Sequence, residues 1–354
     1  MVYLDYAATM PMLDCAREAV REAETQFFAN ASALHTPGHL AHNVVEKCRT
    51  TLARLLGCDA EEIIFTSGAS ESNNTVMRTF EGHAIETSPY EHHSVLEAAK
   101  AYRGEQTPGL KSWMLANNEI GEILKLPKKA GWYLHSDLTQ VLGKLPINVR
   151  ELGLDYATVS AHKIGGPLGM GALYVRKGVP YRPLVVGGNQ EGKRRGGTYN
   201  VPGIAGFLAA LEYVERERTW EIYDTRVREL RDKLARRILA EIPGSSLNTD
   251  VRRGKSLPNI LNASFEAAEG ESIQLYLDAE GIVVSTGSAC AAGDIRPSHV
   301  LMAKTGDAEV AHSSIRFSFG LTNTEADVER VMEVLPGVVA RLQGMSTIQR
   351  KETR

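Results

Sequence analysis

Short runs of β type alternate with helical or turn segments from about residue 60 to residue 190, and this alternation restricts the fold more than any other feature. A chain that alternates in this way forms an α/β domain, because each crossover segment returns the next strand parallel to the last. The runs cover 62–66, 112–115, 132–135, 156–159 and 171–175. We therefore predict a large α/β domain that is built on a mostly parallel sheet.

Polar side chains follow the carboxyl ends of four of these runs. They lie at 67–70, 117–118, 137 and 160–163. Ligands of open α/β sheets bind beyond the carboxyl ends of the strands. We therefore expect the four clusters to form one site.

A helical period of 3.6 residues from Tyr223 to Ile238 predicts a long helix that links two domains. Thr324 should begin a final helix as its N-cap, with Asp327 three residues on, and Pro336 should kink or end that helix. The segments between the two helices are β runs at 259–265, 282–285 and 314–319 and a helical stretch near 272–277. This pattern predicts a second, smaller α+β domain.

The charge of the chain is nearly balanced, with 40 Lys and Arg against 43 Asp and Glu among 354 residues. No basic patch for nucleic acid or for an anionic membrane is visible, and we expect Lys193, Arg194 and Arg195 to form a solvated loop. No uncharged stretch reaches the roughly 18 apolar residues of a membrane span. An acid at Asp5 and the lack of a basic or apolar leader predict a cytoplasmic protein.

The four cysteines, Cys15, Cys48, Cys58 and Cys290, lie far apart and form no CxxC pair. This spacing argues against a disulfide framework and against a zinc cage. Cys290 lies within a run of small residues over 286–294, so we expect it in a mobile, exposed loop.

Three histidines, His35, His39 and His42, have a spacing that would suit a metal ion on one helical face. Pro37 and Gly38 interrupt such a helix, and no acidic or cysteine ligand follows at a suitable distance. We therefore predict no metal site.

Lys163 follows a β run and precedes a glycine-rich turn. Such a turn can desolvate and fix the amine, as a Schiff-base lysine requires. Asp137 would pair with a protonated ring nitrogen and Gln140 would reach a neighbouring ring oxygen, and pyridoxal phosphate has both groups. Each residue alone has an ordinary alternative, a solvated lysine in one case and a helix N-cap aspartate in the other.

Three further positions suggest contacts with a ligand. Residues 67–73 lie at a strand-to-helix turn, which suits a phosphate but is also an ordinary place for a helix cap. His92 could lie against an aromatic cofactor and move protons, or simply begin a helix. Arg316 alternates with apolar residues in a β run, where it would clamp a carboxylate or form a salt bridge.

These motifs, taken together, resemble those of the cysteine desulfurases, pyridoxal-phosphate enzymes of the class V aminotransferase superfamily. The matching stretches follow in order over almost the whole chain, at 3–9, 118–121, 137–140, 160–163, 195–198, 287–290 and 312–318. The resemblance implies the fold type I of pyridoxal-phosphate transferases. It implies a large cofactor-binding domain over 13–245, a small α+β domain over 1–12 and 246–345 that carries the cysteine loop, and a disordered tail over 346–354.

The resemblance also implies the roles of single residues. Lys163 would bind pyridoxal 5'-phosphate as a Schiff base, His92 would stack on the ring and assist proton transfer, and Cys290 would be the nucleophile. Asn118 and Arg316 would take the substrate carboxylate. The phosphate and the ring would be held by Ala69, Ser70, Asn118, Asp137, Gln140, Ser160 and His162, and by Thr198 from the other subunit of a homodimer.

The implied activity is removal of sulfur from L-cysteine, which leaves L-alanine and a persulfide on Cys290. An acceptor or scaffold protein would receive the sulfur, for iron-sulfur cluster assembly or for thiolation of tRNA or a cofactor. Two alternatives stay open. One is another class V enzyme, an aminotransferase or a selenocysteine lyase, and the other is a degenerate scaffold in a sulfur-transfer complex.

The chain departs from the family pattern at three places. Ser70 stands where threonine is usual, and Ala31 stands where proline is expected. The segment from His92 to Asn118 is short, from which we infer that it lacks a strand and a helix of the relatives.

Overall fold

The computed structural model describes residues 1–286 and 296–346. The chain divides into two compact units. The large unit comprises 9–115 and 124–220, and the small unit comprises 1–8, 116–123 and 221–354. The domain boundaries expected at 12 and 245 stay a prediction. Within the described ranges, no helix has both the length and the apolar character that a membrane crossing requires.

The strands and helices of the described residues are numbered in chain order. The strands are β1 (Val2–Tyr3), β2 (Ile63–Thr66), β3 (His83–Thr87), β4 (Gln106–Ser112), β5 (Tyr133–Asp137), β6 (Tyr156–Ser160), β7 (Gly171–Val175), β8 (Ser245–Leu247), β9 (Ile260–Phe265), β10 (Ile282–Val283) and β11 (Ser314–Ser318). The α-helices are α1 (Asp14–Gln26), α2 (Thr36–Leu56), α3 (Ala69–Thr79), α4 (His93–Tyr102), α5 (Val201–Glu217), α6 (Thr219–Ile222), α7 (Arg228–Glu241), α8 (Gly270–Ala279), α9 (His299–Thr305), α10 (Ala308–His312) and α11 (Glu325–Met345). Shorter helical turns lie at Ala60–Glu62, Ala161–Ile164, Gln190–Lys193 and Tyr223–Val227.

The large unit is built on a sheet with the strand order β2-β7-β6-β5-β4-β3. Strand β7 is antiparallel to both of its neighbours, and the other pairings are parallel. Every residue of β2, β6 and β7 is buried, as expected of strands that are covered on both faces. The mostly parallel sheet predicted from the sequence is therefore present.

The edge of this sheet differs from the sequence-based prediction. Strand β3 was not predicted, because as an edge strand it is only half-buried and lacks an apolar run. Strand β4 ends at Ser112, so the run 112–115 that was predicted as a strand lies mostly beyond it. The short segment from His92 to Asn118 contains both α4 and β4.

The small unit contains an antiparallel sheet of the order β11-β9-β8 and a parallel pair, β1 with β10. Helix α11 begins after Thr324 with the predicted capping box, in which the side chain of Asp327 reaches back to the N-cap backbone. Pro336 lies inside this helix, so the expectation that the helix ends there is wrong. Val339, one turn beyond the proline, is fully buried, and this burial holds the helix together past the missing hydrogen bond. The tail over 346–354 that was predicted to be disordered lies, apart from Ser346, outside the described residues.

Candidate active site

Three of the predicted polar clusters follow strands that end at one edge of the large-unit sheet. Thr66 at the end of β2 and Ser160 at the end of β6 are both in register with Gly171 of the intervening β7. Asp137 at the end of β5 is in register with Thr158 of β6. The turns that begin at 67, 138 and 161 therefore leave the sheet side by side, as expected for a ligand site in an α/β sheet.

Gly171 allows this convergence because it has no side chain. A Cβ atom at this position would lie 2.7 Å from the Cα atom of Gly68 and 2.8 Å from the carbonyl oxygen of Val159. Real Cβ atoms do not approach so closely, and only glycine lets the turn after β2 pack against the ends of β6 and β7.

The N-terminus of helix α3 lies at this edge and has no side-chain cap. Gly68 precedes the helix, with Ala69 and Ser70 as the first helical residues, and a Cβ atom on Gly68 would meet nothing within 4 Å. The backbone N–H groups of a first helical turn lack intrahelical acceptors, and the helix dipole favours an anion there. The alternative of an ordinary capped helix does not apply to this end.

Glu71 lies in the same first turn, and its negative charge is compensated by an arginine, so it does not repel an anion that binds there. Its carboxylate accepts hydrogen bonds from Nε and Nη2 of Arg195, at 2.9 and 3.1 Å, and from the backbone N–H of Ser67 at 2.8 Å. These contacts hold the pKa of Glu71 below its usual value against the opposing effect of burial.

Lys163 lies on the helical turn Ala161–Ile164, which follows β6 and ends at Gly165 with a φ of 79°. Its neighbour His162 is half-buried, and the Nδ1 atom of His162 lies 3.1 Å from Oγ1 of Thr9. Burial lowers the pKa of His162 to about 4, and the charges of Lys163 and Lys144 add to this effect. His162 is therefore a neutral hydrogen-bonding group at neutral pH.

Lys144 is a buried lysine next to this turn, and no sequence motif distinguishes it. Its side chain is fully buried, and Nζ lies 3.5 Å from the carbonyl oxygen of Lys163, the long limit of a hydrogen bond. Burial lowers the pKa of Lys144 to about 7, and the charge of Lys163 adds to the shift.

Asp137 is nearly buried at the end of β5, and both of its carboxylate oxygens accept hydrogen bonds. Oδ1 accepts from the backbone N–H of Thr139, and Oδ2 accepts from Nδ2 of Asn73, each at 2.9 Å. A turn rather than a helix follows Asp137, so the bond from the N–H of Thr139 caps a turn and not the helix that the alternative assumed. Gln140, three residues on, is also buried.

His92 caps helix α4, since its Nδ1 atom accepts a hydrogen bond from the backbone N–H of Ser94 at 3.1 Å. The preceding Glu91 is fully buried and accepts from the Ser88 hydroxyl and the Met114 N–H, each at 2.6 Å. Burial raises the pKa of Glu91 to about 8, against the effect of these two bonds and with a contribution from the charge of Asp137.

Thr198 is exposed and lines a cavity of about 240 Å³ together with Thr66, Ser67 and Gly169. The loop before it is not the solvated loop that the sequence suggested. Arg195 pairs with Glu71, and Nη1 of Arg194 donates to the carbonyl oxygen of Glu61 at 2.7 Å. These contacts of Arg194 and Arg195 anchor the loop. They could not be predicted from the sequence, because both acceptors lie far away along the chain.

The same loop is anchored from below by a buried ion pair. Glu191 accepts two hydrogen bonds from Arg49, 2.7 Å from Nη1 and 2.9 Å from Nη2. Both side chains are buried, with 7% of Arg49 and 2% of Glu191 exposed. A bidentate pair of this kind fixes the loop on helix α2.

In the small unit, Arg316 is buried on β11 and is held on two sides. Its Nη2 atom lies 2.6 Å from Oδ1 of Asp5, and its Nη1 atom donates to the backbone carbonyl of Asn118 at 3.0 Å. The Nε atom is buried and has no hydrogen-bond partner in the described part of the chain. Cys290, the predicted nucleophile, lies outside the described residues.

Comparison with known proteins identifies the family. The family model described as "Aminotransferase class-V" matches residues 2–118 and 114–331 of the chain. The chain belongs to the class V aminotransferase family. Within this family it is 40% identical to a protein named cysteine desulfurase IscS from Dictyoglomus turgidum, over 98% of the chain and 96% of the relative. The recognition made from the sequence is confirmed.

Solved structures of family members share the fold. One named "NIFS-LIKE PROTEIN" has a TM-score of 0.86 and 34% identity, and the match covers 96% of this chain and 99% of that one. Another, titled "SspA in complex with cysteine", has a TM-score of 0.76 and 29% identity and covers 90% and 99%. The predicted fold class of a pyridoxal-phosphate transferase of fold type I is confirmed.

The sequence analysis did not identify five of the residues described above as site residues. These are Asp5, Asn73, Glu91, Ser94 and Lys144. Two of them gave a weak signal, since Asn73, which lies on α3, ends the polar stretch 67–73 and Glu91 directly precedes His92. Lys144 follows a short apolar segment and has no motif around it. Its importance depends on burial, which only the structure shows.

Proposed function

We propose that this protein is a pyridoxal-phosphate-dependent cysteine desulfurase, which converts L-cysteine to L-alanine and carries the sulfur as a persulfide on Cys290. One observation carries the proposal: a lysine, a buried carboxylate and an uncapped helix N-terminus follow strands that end at one edge of a single sheet. These are Lys163, Asp137 and the first turn of α3. The relatives named cysteine desulfurase support the choice of reaction.

The large unit offers donors and acceptors that fit pyridoxal phosphate. The uncapped N–H groups at Ala69 and Ser70 suit its phosphate, together with Ser160 and the neutral His162. Both oxygens of Asp137 accept hydrogen bonds from N–H donors, which orient its carboxylate to pair with a protonated ring nitrogen. When bound, the cofactor supplies an electron sink for cleavage of bonds at the α-carbon of an amino acid.

The remaining residues of the large unit take the roles that the family suggests. Lys163 would hold the cofactor covalently, Gln140 would face its phenolic oxygen, and His92 would stack on its ring and move protons. Thr198 would contact the phosphate of the other subunit in a homodimer. A cytoplasmic location also belongs to the proposal.

Arg316 and Asn118 of the small unit would bind the substrate carboxylate. Arg316 is suited to this role because Asp5 orients its guanidinium group and its buried Nε atom has no acceptor among the described residues. The Cys290 thiolate would attack the sulfur of cysteine, so that a sulfur–sulfur bond forms while the carbon–sulfur bond breaks. The Cβ atom of the released alanine takes up a proton. An acceptor or scaffold protein would then receive the persulfide sulfur.

An assay of alanine and sulfide from L-cysteine, with dithiothreitol present to release the sulfur, tests this function. We expect both products from the wild-type protein, and neither from Cys290→Ala, which should keep the visible absorbance of the bound cofactor. Lys163→Ala should lose that absorbance. Cys15→Ala, which alters a half-buried cysteine of α1, is the matched control and should behave as the wild type.

The outcomes separate the proposed function from its alternatives. Sulfide release at the wild-type rate by Cys290→Ala would sink the persulfide step and favour a lyase. Transfer of the amino group to a keto acid without sulfide would indicate an aminotransferase. Failure of the wild-type protein to bind the cofactor would indicate a scaffold.

A further inference from the structure

A continuous hydrogen-bonded path joins His92 to Asp137 within the large unit. It passes through Ser94 and Asn73, two residues to which the proposed function assigns no role. Nδ1 of His92 lies 2.8 Å from Oγ of Ser94, and Nδ2 of Asn73 lies 2.9 Å from the same hydroxyl. Nδ2 of Asn73 also lies 2.9 Å from Oδ2 of Asp137. The path therefore connects the two side chains proposed to act on one cofactor ring.

The orientation of the Asn73 amide follows from the charge of its neighbour. A flipped amide would place Oδ1 against the Asp137 carboxylate, which accepts hydrogen bonds but cannot donate one when ionised. Asn73 is fully buried, and its Oδ1 atom has no partner among the described residues. An unsatisfied buried oxygen is unfavourable, so the two donated bonds determine this orientation.

The direction of the remaining bonds determines where the imidazole of His92 carries its proton. The Ser94 hydroxyl accepts from Asn73, so its own hydrogen is available to the Nδ1 atom of His92. The backbone N–H of Ser94 points to the same Nδ1 atom at 3.1 Å. A ring nitrogen that accepts hydrogen bonds carries no proton, so the neutral imidazole bears its hydrogen on Nε2.

We infer that Asn73 and Ser94 are positioning residues, which hold the neutral imidazole of His92 in its Nε2–H tautomer and orient the carboxylate of Asp137. The inference rests on the proposed function, because Asn73 and Ser94 act only through His92 and Asp137. With Nδ1 accepting two hydrogen bonds from Ser94, the neutral ring of His92 presents Nε2–H as a donor, and uptake of a proton at Nδ1 requires these two bonds to break. Asn73 links the two ends of the path, because its one amide group donates both to the Ser94 hydroxyl and to the Asp137 carboxylate.

Other titratable groups flank the path and are part of the same environment. Glu91 directly precedes His92, and the ring of His93 lies 6.4 Å from the ring of His92. Asp137 ends the path at its other side. Within the described ranges, Ser94 supplies both of the contacts given above for Nδ1 of His92, one through its hydroxyl and one through its backbone N–H.

The test compares Ser94→Ala, Ser94→Thr and Asn73→Ala with the wild-type holoenzyme. Ser94→Ala removes the hydroxyl donor and leaves the bond between Asn73 and Asp137. We expect kcat for alanine formation to fall about threefold to tenfold with KM unchanged, as for loss of one hydrogen bond. The acid limb of the pH profile should move to higher pH, because Nδ1 becomes easier to protonate. Ser94→Thr restores the hydroxyl and should recover both properties.

Asn73→Ala should have a second effect that Ser94→Ala lacks. It deprives Asp137 of a donor, so the affinity of the apoprotein for pyridoxal phosphate should fall about tenfold, as for loss of one bond to a charged group. Titration of the apoprotein with pyridoxal phosphate measures this affinity without any turnover. Glu97→Ala, on the exposed face of α4, is the matched control and should leave all measurements unchanged.

A third measurement reads the tautomer directly. The 15N chemical shifts of the labelled histidine rings, with His92 assigned by its loss in His92→Gln, should show an Nε2–H imidazole in the wild type. In Ser94→Ala the same ring should titrate at higher pH. Should Asn73→Ala fail to fold, Ser94→Ala decides the question, since it removes a single oxygen atom from a half-buried side chain.

The inference is overturned if Ser94→Ala keeps the wild-type pH profile and histidine shifts, or if His92 proves to carry its proton on Nδ1. A wild-type protein that binds pyridoxal phosphate but makes no alanine from cysteine would refute the proposed function alone. In that case the cofactor affinities and histidine shifts still test the network.

Discussion

Lys144 should destabilise the folded protein at neutral pH, and Lys144→Met should therefore stabilise it. The side chain is fully buried, and the contact recorded for its charged end is the 3.5 Å approach to the Lys163 carbonyl. Methionine has a similar length and volume, so the replacement removes the charge without leaving a large cavity.

The magnitude follows from the pKa of Lys144, which burial lowers from 10.5 to about 7. One pKa unit corresponds to about 1.4 kcal/mol, so the buried ammonium costs up to about 5 kcal/mol well below pH 7. Between pH 7 and 10.5 the unfolded chain holds a proton that the folded protein has released. The stability of the wild type should therefore rise with pH in this window, by about 1.4 kcal/mol per unit from this group alone.

The assay is urea unfolding followed by circular dichroism, at equal protein concentration and saturating pyridoxal phosphate, at several pH values from 7 to about 10. Lys144→Met should have the higher midpoint at pH 7, and its advantage should shrink towards zero as the pH rises. Lys177→Met, which removes an exposed lysine beyond β7, is the control and should change the midpoint little at any pH. A Lys144→Met variant that is less stable than the wild type by the same amount at every pH would refute this reasoning.

Three further predictions follow from contacts described above. Glu191→Ala removes the bidentate partner of the buried Arg49 guanidinium and leaves it with Glu46 and the Ile63 carbonyl, so thermal unfolding should show a loss of about 1.5–3 kcal/mol, and a melting temperature equal to that of the wild type would contradict it. Asp5→Asn weakens the ion pair that orients Arg316, so steady-state kinetics should show a severalfold higher KM for L-cysteine with bound cofactor unchanged; an effect on cofactor binding alone would count against it. Gly171→Ala forces apart the turns that converge at the sheet edge, so the purified protein should retain less pyridoxal phosphate after dialysis, and full retention would show that the backbone there can move.

Much of the fold follows from local sequence patterns. The runs that became β2, β5, β6, β7, β9 and β11 each carry apolar residues that the sheets bury, and Thr324 with Asp327 forms the predicted capping box. Two elements differ from the prediction, and in both the burial of the folded element explains the difference. Strand β3 is half-exposed and carries no apolar run, and α11 continues through Pro336 because its apolar side stays buried beyond it.

The candidate site is predictable to the extent that its residues follow strand ends. Lys163, Asp137 and the turn after Thr66 could be named from the sequence because parallel strands bring their carboxyl ends to one edge. The sequence also leaves ordinary alternatives open for each of them. The uncapped start of α3 and the turn after Asp137 decide two of these alternatives, and both are properties of the folded backbone.

The fold class, the family and most of the chemically capable residues could be predicted before folding was considered, because strand periodicity and motif order are local properties of the chain. Only the tertiary structure showed that Lys144 is buried, that Arg194 and Arg195 are anchored, and that Asn73 links His92 to Asp137 through Ser94. These properties depend on pairs of side chains that are distant in sequence and on the exclusion of water around them. Burial and hydrogen-bond direction arise only when the elements pack, and they set the protonation states on which the proposed chemistry depends.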